Sequence, residues 1–308
     1  MIITARGFSN FIQKNTLINF DSIIKVILWI FIVNALLGLT GMKIFTNASE
    51  KPVGVFAEPS HLAITLSPIF IYYCILKLPR YYFLIIFLFI WAILIKNLTT
   101  IILLMAGFLT TIQNKKDFKK AIILTILFIL TFYFYNSDYF KSRLIFSSQT
   151  DNISVLAILQ GWDIAIQMLH QTSFWGAGFQ QFGIMGVSSD ILTRTTLLAN
   201  RELNILDGGT TAAKIVGEFG FFGIYFLLFY LFICYKILKT LFSMDKYLIN
   251  RSYIFFSSCV ISYSFEVFLW GVGYFSPSGF LFLVGLLGLY YDNFLNIKKG
   301  NYEPNFET

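Results

Sequence analysis

The chain has 308 residues, of which 57% are hydrophobic, 19% aromatic and only 13% charged. An average soluble domain carries about a quarter charged residues; here the charges are clustered and leave apolar stretches of roughly 17–25 residues, the length that crosses a bilayer. The composition excludes a soluble enzyme, a secreted disulfide scaffold and a disordered regulator, and it predicts an all-α polytopic membrane protein. The net charge of +7 does not point to nucleic acid. The basic residues sit just beyond apolar segments, where they set topology, instead of gathering on one face.

Met1 to Asn19 reads as polar and broken, with no cleavable signal peptide. Eight spans follow: Ile23–Phe45, Leu62–Leu76, Tyr82–Ile95, Leu98–Ile112, Ala121–Tyr135, Ala212–Leu238, Tyr253–Val272 and Ser278–Leu295. The third and fourth are short, and Lys96-Asn97 between them suggests a tight hairpin, one long tilted helix being the alternative. Alternate gaps give one side 15 of the 23 Lys and Arg, including Lys115, Lys116, Lys119 and Lys120. Both termini are therefore expected in the cytoplasm and the long gap, Asn136–Thr211, outside. The chain divides into a five-span bundle (1–135), this loop (136–211) and a three-span bundle (212–308). Cys74, Cys234 and Cys259 lie inside apolar stretches with neither metal spacing nor a disulfide pattern.

Within the loop, Ile153 to His170 has apolar residues at helical spacing with Gln160, Asp163 and Gln167 interleaved, and reads as an amphipathic helix along the membrane boundary. Phe174 to Gly186 then sets four glycines among aromatics, a tight irregular turn.

Ionisable groups in or beside the bilayer are costly and therefore candidates for function. On the expected outer side these are Glu58, His61, Arg143, His170, Arg194, Arg201, Lys214 and Glu218. Glu266 lies deeper in the seventh span, and Asp292 reads as a solvated helix end. Pro59 suits a first helical turn, which puts Glu58 near the N-cap; the plain alternative is that Glu58 only caps the helix and His61 is interfacial. Arg143, Arg194 and Arg201 present planar forks that match phosphate oxygens, or they pair with Asp138, Asp151, Asp163, Asp190, Glu202 and Asp207 on the same loop. Lys214 and Glu218 stand at i and i+4 and can neutralise each other, while Gly217, Gly220 and Gly223 allow close helix approach. There is no Walker motif, His-Glu-x-x-His, Gly-x-Ser-x-Gly or paired outer carboxylate.

Phe56-Ala57-Glu58-Pro59-Ser60-His61-Leu62-Ala63 resembles the F-x-E-P-S-x-x-A signature of Wzy-type O-antigen and capsule polymerases. Arg143, Ser154, Gly161-Trp162-Asp163-Ile164-Ala165 and Phe174-Trp175-Gly176-Ala177-Gly178-Phe179 follow in the order of that family's periplasmic loop. Glu218-Phe219-Gly220-Phe221-Phe222-Gly223 is similar to the E-x-G-x-x-G that opens its next helix. The resemblance covers about residues 56 to 225, although family members usually carry more spans. It implies a metal-independent glycosyltransferase of the bacterial inner membrane, without a cofactor. Its substrates would be undecaprenyl-diphosphate-linked glycans, and its protein partner a chain-length regulator.

Arg143, then Arg194 and Arg201, would stabilise the departing diphosphate, each by roughly 2–4 kcal/mol if pre-organised. Glu58 would orient the acceptor or take its proton, with His61 or His170 as the other choices. Lys214, Glu218, Trp162 and Trp175 would complete the substrate site; Trp162, Trp175, Phe179 and Tyr139 also suit sugar stacking or interface anchoring. The alternatives are an O-antigen ligase, whose loop histidine His170 does not obviously match, and a flippase for the lipid-linked glycan.

Overall fold

The computed structural model describes residues 1–14, 17–42, 44, 53–76, 81–110, 145–186, 188–243, 250–271 and 273–299. The expected fifth span, the basic cluster 115–120, Tyr139 and Arg143 lie outside them. The described chain is all-helical: α1 (Ile2–Lys14), α2 (Leu17–Leu39), α3 (Pro59–Leu76), α4 (Tyr81–Ile95), α5 (Leu98–Thr110), α6 (Ile153–Gln171), α7 (Asp190–Ala199), α8 (Thr211–Ser243), α9 (Arg251–Phe268) and α10 (Pro277–Lys299). Four helical stretches among the described residues are long and apolar enough to cross a membrane, Phe20–Leu39, Pro59–Leu76, Ile153–Gln171 and Thr211–Phe242. Three more apolar helices are shorter, Tyr82–Ile95, Leu98–Thr110 and Pro277–Tyr291.

Several boundaries move for identifiable reasons. The N-terminal stretch that reads as broken is the helix α1, because Ala5, Ser9 and Ile12 form a buried stripe and Gln13 donates to the Gly288 carbonyl of α10 (3.2 Å). Helix α2 begins earlier than Ile23, since Asp21 within it is met by Arg251 of α9 and by the Tyr72 hydroxyl of α3 (2.7 Å). It ends by Leu39, where the Thr40 hydroxyl donates to Leu37 O (2.8 Å) and Gly41 takes a positive φ. The Lys96-Asn97 hairpin is present: Lys96 has φ 56°, and the Asn97 side chain accepts from the amides of Thr99 and Thr100. Two separate helices, not one long one, therefore occupy 81–110.

Helix α3 is the buried spine, packed against α5 and antiparallel to α9. Its Pro68 cannot donate to the carbonyl of Ile64, and the Ser67 hydroxyl donates there instead (2.6 Å), the local repair that tolerates proline in an apolar helix. Before α3, the buried Asn34 of α2 grips the approaching chain. Its amide donates to Val53 O and its carbonyl accepts from Val55 N, both at 2.9 Å. One large apolar cluster draws residues from α1 to α5 and from α8 to α10, so the two expected bundles share a core. A smaller one joins α6 to the start of α8 through Ile164, Ala165, Met168, Phe182 and Ala213.

Candidate functional site

Helix α8 is not one helix. At Gly220 the backbone takes φ 56°, ψ −130°, and the chain bends so sharply that Gly223 packs against Ile215 and Val216. The stretch 211–219 is a short buried helix; the stretch from 221 is an apolar one whose side chains are largely exposed. Into the bend fits the glycine turn after α6. Ala177 N donates to Gly217 O (3.0 Å), Gly178 N to Glu218 O (2.9 Å) and Phe221 N to Phe174 O (2.9 Å). A methyl group on Gly176 would strike Glu218 O, and one on Gly220 would strike Phe174 O. Of the glycines spaced by three, Gly223 allows the two parts of α8 to approach each other, as expected, whereas Gly217 meets Phe182 and Gly220 breaks the helix and meets Phe174 of the glycine turn. Gly161 against Gly208, and Gly209 against Ala157, close the opposite side in the same way.

Lys214 and Glu218 project from the short helix and are 3% and 1% exposed. Their separation is 3.7 Å. Lys214 Nζ also donates to Leu206 O (2.6 Å) and to Gln180 Oε1 (3.4 Å), and lies 3.9 Å from Asp207. Glu218 accepts from Phe182 N (3.2 Å) and from the Tyr274 hydroxyl (2.8 Å). A buried charged pair persists when further hydrogen bonds complete each partner, and both conditions hold here. Burial first, and then the carboxylate that the hydroxyl serves, push the Tyr274 phenol well above its ordinary range. These contacts make Lys214 and Glu218 braces between α8, the glycine turn and the 269–276 loop.

That loop is where the site converges. Expected as the end of a span, it leaves the helix at Phe268 because Gly271 must pass against Thr210, with its amide donating to Gly209 O (2.9 Å). Its Trp270 indole N–H donates to His61 Nε2 at 3.0 Å. Its Ser276, with Ser278 of α10, donates to the buried carboxylate of Glu266. Glu266, read from sequence as the deep acid, stands in the last turn of α9, at this same end of the bundle. Thus α3, α8 and α9 each hold one point of a single loop.

At the start of α3, the Glu58 carbonyl accepts from His61 N (3.1 Å), and its half-buried carboxylate accepts from the Ser60 hydroxyl (3.1 Å). Trp270 is a donor only, so His61 Nε2 must be the acceptor and the ring proton sits on Nδ1. This tautomer leaves His61 without a free basic nitrogen.

No family model, no curated protein and no solved structure matches this chain. Residue geometry alone therefore sorts the candidates.

Glu58, His61, Lys214 and Glu218 come to one end of the bundle, the first two linked to the last two through Trp270–Tyr274. Arg194 does not join them: it pairs with Asp151 at 2.8 Å and donates to Gln149 O at 2.8 Å. Arg201 is exposed, with no acid partner among the described residues. His170 is exposed and edges against Phe174. Trp162 is half-buried between the two apolar clusters, whereas Trp175 is 71% exposed beside Phe222. Sequence reasoning missed Trp270, Tyr274 and Gln180. Only the aromatic and glycine content of Trp270-Gly271-Val272-Gly273-Tyr274 hinted at an irregular segment there.

Proposed function

We propose that this chain is a glycosyltransferase that joins polyprenyl-diphosphate-linked oligosaccharide units, the activity expected of a Wzy-type polymerase. The observation that carries the reading is the convergence of Glu58 and His61 with the Glu218–Gly223 run through one loop. These segments lie far apart in sequence, and both belong to the resemblance. We further assign eight spans, cytoplasmic termini and an outward-facing loop, in a bacterial inner membrane, from the distribution of Lys and Arg.

In the reaction, a hydroxyl of the acceptor sugar attacks the anomeric carbon of the donor. The new C–O bond forms as the bond to diphosphate breaks, and polyprenyl diphosphate departs with the electron pair. The acceptor proton passes to Glu58, which keeps one carboxylate oxygen beyond the Ser60 contact. With its Nε2 occupied, His61 serves as a donor through Nδ1 and not as the base. Arg201 and Arg143 are the cations left for the diphosphate, since Arg194 is engaged by Asp151. The diphosphate is itself a good leaving group, so alignment and charge stabilisation supply most of the acceleration.

The broken helix at Gly220 is a feature shared with transporters, where interrupted helices surround a binding site. A gel of surface lipopolysaccharide decides between them. A deletion strain complemented with wild type should show a ladder, and Glu58→Gln or Arg143→Ala should leave a single repeat unit. Loss of all surface glycan on deletion would mean transport or ligation instead.

A further inference from the structure

The geometry points to a sugar-ring binding platform built by Phe179 on Tyr274, flanked by Gln180 and Asp207. The inference rests on the glycan reading above and names the part of the site that grips the glycan. Phe179 lies parallel to Tyr274, with centroids 5.6 Å apart and planes 14° from parallel, and is itself 54% exposed. The buried Lys214 ammonium lies 5.3 Å from the centroid of the same Tyr274 ring. Phe179 also meets Phe219 at 6.4 Å, so an exposed aromatic ring rests on half-buried aromatic rings beside a buried cation.

Membrane-interface aromatics keep an apolar body in lipid and a polar tip in water. Here the polar tips turn inward. The Tyr274 hydroxyl is spent on Glu218 and the neighbouring Trp270 N–H on His61. Hydrogen bonds that anchor these tips hold the Tyr274 and Trp270 rings, and Tyr274 gives Phe179 a preformed partner to stack on.

Polar side chains gather on Lys214, next to the Tyr274 ring. Gln180 follows Phe179 directly and is exposed. The side chain of Asp207 is 45% exposed and abuts Gly273, where a methyl group would stand 3.1 Å from Asp207 Oδ1. An aromatic face beside an amide and a carboxylate suits one ligand class, a pyranose. Its C–H face stacks on the negative face of the ring, and its hydroxyls donate to the carboxylate and exchange hydrogen bonds with the amide. Lys214 engages only the Gln180 carbonyl and one Asp207 oxygen; the Gln180 amide N–H groups and the second Asp207 oxygen suit hydroxyls, for which an acyl chain has no counterpart.

The test uses the purified full chain in nanodiscs on an array of immobilised di- to tetrasaccharides of hexoses, 6-deoxyhexoses and N-acetylhexosamines. Wild type should bind a subset of pyranoses. Phe179→Ala should weaken that binding on the order of tenfold, Phe179→Trp should retain it, and Leu197→Ala on α7 should match wild type. Circular dichroism and thermal unfolding of each variant exclude misfolding as the cause. Binding unchanged in Phe179→Ala, or no pyranose bound by wild type, overturns the platform. Neither result touches the ladder experiment, which decides the polymerase reading separately.

Discussion

The two parts of α8 meet at Gly220 and obey different rules. Between 211 and 219 nearly every side chain is buried, and the stretch nevertheless holds a lysine and a glutamate. From Phe221 to Tyr235 it holds no charge, and Phe221, Phe222, Tyr225, Phe226, Leu228, Phe229, Leu231, Phe232 and Tyr235 are all exposed. The first part is solvated by the protein, through carbonyls, an amide and a phenol aimed at its charges. The second carries its exposed carbon along a stretch long and apolar enough to cross a bilayer. Burial in a protein and immersion in lipid are thus distinct environments, separated here by one residue.

The largest expected effect strikes the boundary itself. Gly220→Ala adds a methyl group that meets Phe174 O at a positive φ, so it should lower stability by at least about 3 kcal/mol, read as a lower Tm in detergent micelles. A Tm near that of wild type would mean the two parts are not locked in this geometry. Next, Glu218→Gln keeps the size of the side chain but leaves the buried Lys214 charge with only the half-exposed, longer-range Asp207 carboxylate, costing about 2–3 kcal/mol. Adding Lys214→Met should recover part of that loss; no recovery would show that the pair is not coupled.

Tyr274→Phe removes a hydrogen bond to a charged group and should cost about 2 kcal/mol. It has a pH signature as well. A phenol raised in the folded state stabilises the fold below its unfolded value near pH 10 and loses that contribution as pH climbs further. Wild type should therefore lose Tm more steeply than Tyr274→Phe above about pH 10; identical slopes would remove Tyr274 from the Glu218 cluster. The smallest effect belongs to the second part. Phe226→Leu should shift stability by under about 0.5 kcal/mol, and a large drop would mean that this surface meets protein and not lipid.

What the sequence reveals follows interaction range. Periodicity exposes α6 almost to the residue, and the Lys96-Asn97 turn is readable because Asn97 caps its own helix. The Lys214–Glu218 pair is readable because helical spacing brings i and i+4 together. Helix α1 is hidden by Ser9, whose hydroxyl donates to Arg6 O of the same helix, and by Gln13, which donates to Gly288 O of α10; α7 is hidden by its shortness. At the site, His61 and Trp270 are 209 positions apart and Glu218 and Tyr274 are 56 apart, distances over which no local pattern operates. The same limit explains why Arg194, Arg201 and Lys214 look alike as a string of cations, yet differ in partners once folded. The Gly217–Gly223 spacing signals close approach correctly; which element approaches is a tertiary fact.

The three-point attachment of residues 269–276 also bears on how the protein is made. Helix α3 leaves the ribosome long before Trp270 does, because chains emerge from the N-terminus at about 5–20 residues per second. Until α9 and its following loop are threaded into place, His61 lacks its indole donor and Glu218 its phenol. Nascent or C-terminally truncated chains would therefore carry every signature segment up to residue 225 without the constellation those segments form. The constellation is complete only once the chain has been delivered through Ser278.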